Sequence, residues 1–98
     1  MSYELGFRSL ALKEWKKLAP NIRNQFASKL AERLANPRVP AARLSGLRDC
    51  YKIKLRKSGY RLVYQVVDDQ LLVVVVAVGR RERNEIYKIA ARRVGSQS

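Results

Sequence analysis

The chain contains no histidine. That removes the commonest general base near neutral pH, the commonest metal ligand and every triad built on an imidazole. It has one cysteine, Cys50, so neither an internal disulfide framework nor a cysteine zinc site can form. A lone thiol at the start of a strand is most often a small buried hydrophobe. No metal and no cofactor are expected. Acid is scarce too: 8 Asp and Glu stand against 21 Lys and Arg, a formal charge of +13. Self-repulsion of that size weakens a compact fold and suits a polyanionic partner, either nucleic acid or an acidic protein. The longest apolar run, Leu71 to Val78, is far too short to span a bilayer. The basic residues lie partly on strands rather than on one amphipathic helix, which argues against a membrane partner. Met1 to Arg8 lacks the apolar core of a signal peptide, so the expected location is the cytoplasm.

What remains is enough for one domain. The chain has 98 residues, 47% of them hydrophobic, and such a chain can bury roughly two-thirds of its unfolded surface. The domain is expected to cover residues 1–94, with 95–98 as a frayed tail. Tyr3 to Phe7 alternates and reads as a first strand. Ser9 is placed to cap a helix over Leu10 to Leu18, with Ala11, Trp15 and Leu18 on one side and Lys13, Lys16 and Lys17 outside. Trp15 has the ring to stack on a base, but its spacing assigns it to the core. Pro20-Asn21 breaks this helix and starts another, with Asn21 as cap. Ile22, Phe26, Leu30 and Leu34 recur every four residues, with Ala27 and Ala31 alongside, until Asn36-Pro37. The two helices form a hairpin expected to lie on one sheet face. Residues 36–49 read as a loop tacked to the core by Leu44 and Leu47. Its Arg38, Arg43 and Arg48 either touch phosphate or are simply solvated.

The most informative stretch is 50–67. From Tyr51 to Leu55 apolar and basic residues alternate, the period of a half-buried strand. Ser58-Gly59 reads as a two-residue turn, followed by a strand from Tyr60 to Val67. That loop pairs Arg56 with Arg61, Leu55 with Leu62, Lys54 with Val63 and Ile53 with Tyr64. Tyr51, Ile53, Leu55, Leu62, Tyr64 and Val66 then share an apolar face, and Lys52, Lys54, Arg56 and Arg61 share the other. A three-residue loop would mix the faces. Arg56 opposite Arg61 is a like-charge pair that disfavours the sheet. Broken local rules often mark functional sites; the plainer reading is a solvated basic face. Asp68-Asp69 makes another turn. Leu71 to Val78 is apolar on both faces, so this strand is expected to be covered on both sides, between Tyr60–Val67 and Tyr3–Phe7. Gly79 is expected to end it. A last helix from about 83 to 94 carries Ile86, Ile89 or Ala90, and Val94 as its apolar stripe, with Arg92-Arg93 near its end.

Arg80 and Arg81 at the end of the third strand of the meander, with Lys52, Lys54, Arg56 and Arg61 on the neighbouring strands, make a cationic face, with Tyr87 at its rim. Cations neutralise phosphates and an aromatic ring takes an unstacked base. Cleaving RNA without histidine or metal needs a 2′-hydroxyl proton acceptor, a phosphate clamp and a proton for the leaving 5′-oxygen. A lysine crowded by cations has its charged form disfavoured and becomes a usable base. Arginine is shaped to clamp phosphate oxygens.

Three runs together carry a family resemblance: Asp49-Cys-Tyr-Lys-Ile-Lys-Leu-Arg56; Ser58-Gly-Tyr-Arg-Leu-Val-Tyr-Gln-Val66; and Val78-Gly79 through Arg81-Glu82-Arg83 to Tyr87. With Ala11-Leu-Lys-Glu-Trp15 and Leu44-x-Gly46, the chain resembles the RelE/ParE family of toxins over nearly its whole length. The resemblance implies an α+β, microbial-RNase-like fold: a helical hairpin on an antiparallel β-meander with a short C-terminal helix. It implies an mRNA interferase that cuts translated mRNA in the A site of the 70S ribosome, against 16S rRNA, and is neutralised by a RelB-type antitoxin. Operator DNA would be met only through the antitoxin complex. The family's catalytic positions fall on Lys52, Lys54, Arg61, Arg81 and Tyr87. The implied roles are Lys54 as base helped by Lys52, Arg61 as phosphate clamp, Arg81 as acid or leaving-group stabiliser, and Tyr87 as stacking ring. Lys13, Lys16, Lys17, Arg43, Arg48, Arg56, Arg80 and Arg83 are the candidate RNA and ribosome contacts. Ser45 stands where the family often has a basic residue. Two other readings stay open: a ParE-like poison of a protein target such as gyrase, which does not need the Lys52/Lys54/Arg61/Arg81 cluster, and a non-catalytic RNA- or ribosome-binding module.

Overall fold

The computed structural model describes residues 2–80 and 85–95. Alternating apolar residues in the strands and the four-residue repeat of Ile22, Phe26 and Leu30 set the architecture. In chain order the elements are β1 (Glu4–Phe7), α1 (Ser9–Lys16), α2 (Pro20–Ala35), β2 (Cys50–Leu55), β3 (Tyr60–Val67), β4 (Leu72–Arg80) and α3 (Glu85–Gly95). Short 3-10 turns occupy Pro40–Ala42 and Asp68–Gln70. The strand order is β1-β4-β3-β2. β2, β3 and β4 form the expected antiparallel meander, and β1 joins β4 in parallel, so the sheet is mixed.

Each face of the sheet carries its own core. On one face Tyr51, Ile53, Leu55, Leu62, Tyr64 and Val66 pack with Ala11, Phe26 and Leu30 of the helical hairpin. Trp15 lies in this core, its ring 5.2 Å from Phe7 and 6.5 Å from Phe26. On the other face Cys50, Val63, Val76 and Ala77 pack with Ile86 and Ala90 of α3, and Leu44 and Leu47 tack the 43–48 loop to it. Burial raises the Cys50 thiol to about 11, with Asp49 adding to the effect, so it stays protonated and unreactive. Among the described residues no helix is long and apolar enough to cross a membrane.

Both expected helix caps are displaced. Arg8 N–H donates to Val75 O at 3.0 Å, which holds Arg8 extended just beyond β1 as the residue before the helix. The helix therefore begins on Ser9, with no side-chain cap. α2 begins on Pro20, whose fixed φ suits a first helical position, so Asn21 lies inside the helix. Ala27 and Ala31 are exposed; the buried stripe is Ile22, Phe26 and Leu30.

The hairpin register also differs from the sequence reading. β2 pairs with β3 as Lys52↔Val63, Ile53↔Leu62, Lys54↔Arg61 and Leu55↔Tyr60. Residues 56–59 therefore form a four-residue turn, closed by Gly59 N–H donating to Leu55 O at 2.9 Å, with Gly59 at φ +76°. A shift of two residues keeps every side chain on its face, so the face assignment holds while the partners change. The like-charge pair is Lys54 with Arg61, and Arg56 lies in the turn.

β4 carries a bulge. Val63 pairs with Ala77 but Tyr64 with Val75, leaving Val76 extra. Val76 and Ala77 consequently face the same core, while Val75 and Val78 face the other. Gly79 does not end the strand; it pairs with Arg61, and Arg80 pairs with Tyr60.

Candidate active site

Strand pairing sets three positions in a row on the α3 side of the sheet. Lys54 of β2 is opposite Arg61 of β3, and Arg61 is opposite Gly79 of β4. Lys52 is two residues from Lys54 on the same face. A Cβ built on Gly79 would lie 3.4 Å from Ile86 Cδ1, so the start of the described part of α3 borders the row.

The β2 backbone beneath the lysines is held along its outer edge. Arg33 of α2 donates from Nη1 to Lys52 O at 3.2 Å and to the Tyr64 hydroxyl at 2.8 Å. The Tyr64 hydroxyl donates to Pro37 O at 2.6 Å. Leu44 N–H donates to Cys50 O at 3.0 Å, and Arg43 bridges to Tyr51. An edge strand with these groups satisfied cannot slide.

The electrostatics follow from where the few acids lie. Asp49 and Asp68 are taken by Arg38 at 3.1 and 2.6 Å, and Tyr3 donates to Asp68 at 2.6 Å. That network is at the far end of the β2–β3 hairpin from its turn. Among the described residues no ion pair involves Lys52 or Lys54. The Lys54 ammonium is held below the ordinary lysine range by Lys52 first, then by desolvation, Arg61 and Arg56. The observed register is what brings Arg61 into that set.

Tyr87 is half-buried in α3, beside a groove of about 440 Å³ that it lines with Leu44, Leu47, Lys88 and Ala91. Its hydroxyl is buried and has no hydrogen-bond partner among the described residues. Burial raises its pKa while Arg61 pulls it down, so ring and guanidinium are electrostatic neighbours. A smaller cleft of about 290 Å³ opens at the hairpin, lined by Lys54, Arg56, Tyr60 and Arg61. With three cations and, among the described residues, no carboxylate in its lining, it suits a phosphate. Among the described residues no group of His, Cys, Asp and Glu could hold a metal ion.

Lys52, Lys54, Arg61 and Tyr87 are thus brought together, and Arg56 flanks them. Arg80 is exposed at the end of β4 on the opposite side of the strand. Arg81 and Arg83 lie outside the described residues. Lys13 and Lys16 are exposed on α1, and Lys17 just past its end; α1 packs against the other core. Arg48 is almost fully solvated, with a 4.0 Å contact to Asp49. The sequence reading missed Arg33, which supports β2 from α2, and Glu14 and Arg93, which join α1 to α3. The one available signal was Glu14 standing alone among Lys13, Lys16 and Lys17 in a chain so short of acid.

Residues 5–85 match the family described as ParE toxin of type II toxin-antitoxin system, parDE. The mRNA interferase toxin RelE of Escherichia coli strain K12 is 54% identical over 94 residues, 96% of this chain and 99% of that protein. The free-state structure of an R81A/R83A mutant of the Escherichia coli toxin RelE is similar with a TM-score of 0.88 at 52% identity, covering 96% of this chain and 99% of that one. A toxin-antitoxin complex, the intact Escherichia coli RelBE, gives 0.81 at 55% identity over 84% of this chain and 100% of the matched one.

Proposed function

Since the chain belongs to the ParE/RelE family of toxins of type II toxin–antitoxin systems, we propose that it is an mRNA interferase cutting messenger RNA on the translating ribosome. The observation that carries the reading is Lys54 opposite Arg61, with Lys52 beside it and, among the described residues, no ion pair to either lysine. Like charges directly opposite each other disfavour the sheet, and cations so placed suit a phosphate.

In the proposed reaction the neutral Lys54 amine takes the proton of the 2′-hydroxyl. The 2′-oxygen forms a bond to phosphorus as the bond to the 5′-oxygen breaks. Arg61 holds the non-bridging oxygens, whose charge grows in the transition state. Arg81, which follows Arg80 in sequence, supplies the proton or the charge that the leaving oxygen needs. The products are a 2′,3′-cyclic phosphate and a 5′-hydroxyl. No metal takes part. The Tyr87 ring orients the substrate; with its hydroxyl turned inward, the ring is the part left to meet a base. Ribosomal RNA completes the positioning, engaged by the exposed Lys13, Lys16, Lys17, Arg43, Arg48, Arg56 and Arg80, with Arg83 as a further contact. A RelB-type antitoxin neutralises the toxin, as the complex of the Escherichia coli relative suggests, and operator DNA is reached only through that complex. The reaction takes place in the cytoplasm.

The gyrase-poison reading is the rival, since the matched family carries the ParE name. It does not need the Lys52, Lys54 and Arg61 cluster. Arg61→Ala separates the two. On ribosomes programmed with a defined mRNA, its cleavage rate is expected to fall about 10²–10³-fold, as for the loss of one oxyanion-type donor, with ribosome binding much less affected. A near wild-type cleavage rate in this variant would remove the site assignment.

A further inference from the structure

β1 pairs only with Leu72–Val75, the first half of β4. Beyond Val75 no strand among the described residues lies beside the outer edge of β4, and this is where the bulge at Val76 lies. Backbone groups there need other partners. Two side chains supply them. Glu14 Oε1 of α1 accepts the Val78 N–H at 3.2 Å, and Arg93 Nη1 of α3 donates to Val76 O at 2.9 Å. The two side chains also bind each other: Arg93 Nη1 and Nη2 donate to Glu14 Oε1 and Oε2 at 2.9 and 3.0 Å. Arg8 Nη1 donates to Arg93 O at 3.1 Å, fastening the same turn of α3 by its backbone.

We propose that Glu14 and Arg93 are positioning residues that fix α3 to the bulged end of β4, so that Tyr87 meets the Lys54–Arg61 row in the productive geometry. The inference rests on the site reading above. An ion pair serving stability alone could lie anywhere along α3. This one grips the carbonyl of the extra residue, Val76, and the Val78 N–H two residues on, and the phase of β4 after the bulge decides which face Gly79 and Arg80 present. Side-chain exposures of 18% and 21% mean that losing one partner leaves the other largely desolvated. Tyr87 and Arg93 are six residues apart on one helix, about 9 Å, so a shift at the anchor is carried to the ring. Ile86, next to Tyr87, already contacts the Gly79 position at the other end of that lever.

Two substitutions test this. Glu14→Gln keeps an acceptor for the Val78 N–H and loses the charge facing Arg93. Arg93→Lys keeps the charge and loses the fork. Each is assayed well below its own Tm on ribosomes carrying a defined mRNA, with Arg61→Ala and Tyr87→Ala alongside. We expect kcat to fall about 10–100-fold in both, the scale of a misplaced catalytic group, with KM changed by less than about twofold. Amide exchange at Ile86 and Tyr87 should quicken while Leu62 to Val66 stay protected. The double variant should lose no more than the worse single one, because the pair acts as a unit. Wild-type kcat in both variants, with Arg61→Ala and Tyr87→Ala impaired, would overturn the positioning role alone. So would a kcat loss matched by faster exchange across the whole sheet, which would mark a pair serving stability only. Undiminished kcat in Arg61→Ala and Tyr87→Ala would instead overturn the site reading, and the positioning role with it.

Discussion

Replacing Lys54 by glutamate should make the protein more stable and inactive. Lys54 lies directly opposite Arg61, and Lys52, Arg61 and Arg56 all act against its charge. Cross-strand pairs contribute roughly 0.2–1 kcal/mol relative to alanine, favourable for opposite charges and unfavourable for like ones. Reversing the sign therefore spans about 1 kcal/mol, and exposure of Lys54 to solvent keeps the gain from exceeding that. In a domain of this size about 1 kcal/mol moves Tm by about 4–8 °C. Lysine and glutamate are both poor strand formers, so backbone propensity does not account for such a rise. Thermal melts at low ionic strength and at about 1 M salt, where the Debye length falls to about 3 Å, should show the gain and then its loss. Cleavage should drop by about 10²–10⁴, the usual contribution of a general base. Arg56→Glu is the control. The two-residue turn read from sequence would place Arg56 opposite Arg61 and give it the larger gain; in the four-residue turn it has no cross-strand partner. A larger Tm rise for Arg56→Glu, or a lower Tm for Lys54→Glu, would refute the register and the electrostatic account together.

The pH dependence of kcat should follow Lys54. Its pKa is held down chiefly by Lys52, so the neutral base is present at lower pH than for an ordinary lysine, and kcat rises with pH up to that depressed value. Lys52→Gln removes the leading cause, so the rise should move to higher pH and the rate near neutrality should fall; a profile unchanged in Lys52→Gln would contradict this. Tyr87→Phe removes a buried hydroxyl that has no partner among the described residues. It should keep kcat within about twofold and cost no stability, whereas Tyr87→Ala should lose activity; a large loss in the phenylalanine variant would give the hydroxyl a role that the geometry does not.

Much of this was legible in the sequence because the side-chain pattern survives the packing. Alternation from Tyr51 to Leu55 identified β2, its two faces and the lysines on one of them. What alternation cannot register is a shift by two, which is why the turn read as two residues and the partner of Lys54 was misassigned. The bulge in β4 was invisible for a related reason: in Leu-Leu-Val-Val-Val-Val-Ala-Val every residue suits either face, so an extra residue breaks no pattern. Caps failed where a neighbour decided the backbone. Arg8 is held extended by Val75, and Pro20 fixes the start of α2. Arg33 and Glu14–Arg93 depend on which strand edges remain open, a property of the assembled sheet rather than of any local stretch.

The chemistry of the cut end tests the central claim most directly. The wild-type protein is added to ribosomes translating a defined mRNA and the 3′ end of the upstream fragment is analysed, with Lys54→Gln and Arg61→Ala for comparison. A 2′,3′-cyclic phosphate, or the 3′-phosphate it hydrolyses to, formed by the wild type and lost in both variants, is the predicted result. A 3′-hydroxyl end, or intact mRNA on ribosomes that have nonetheless bound the protein, would contradict it.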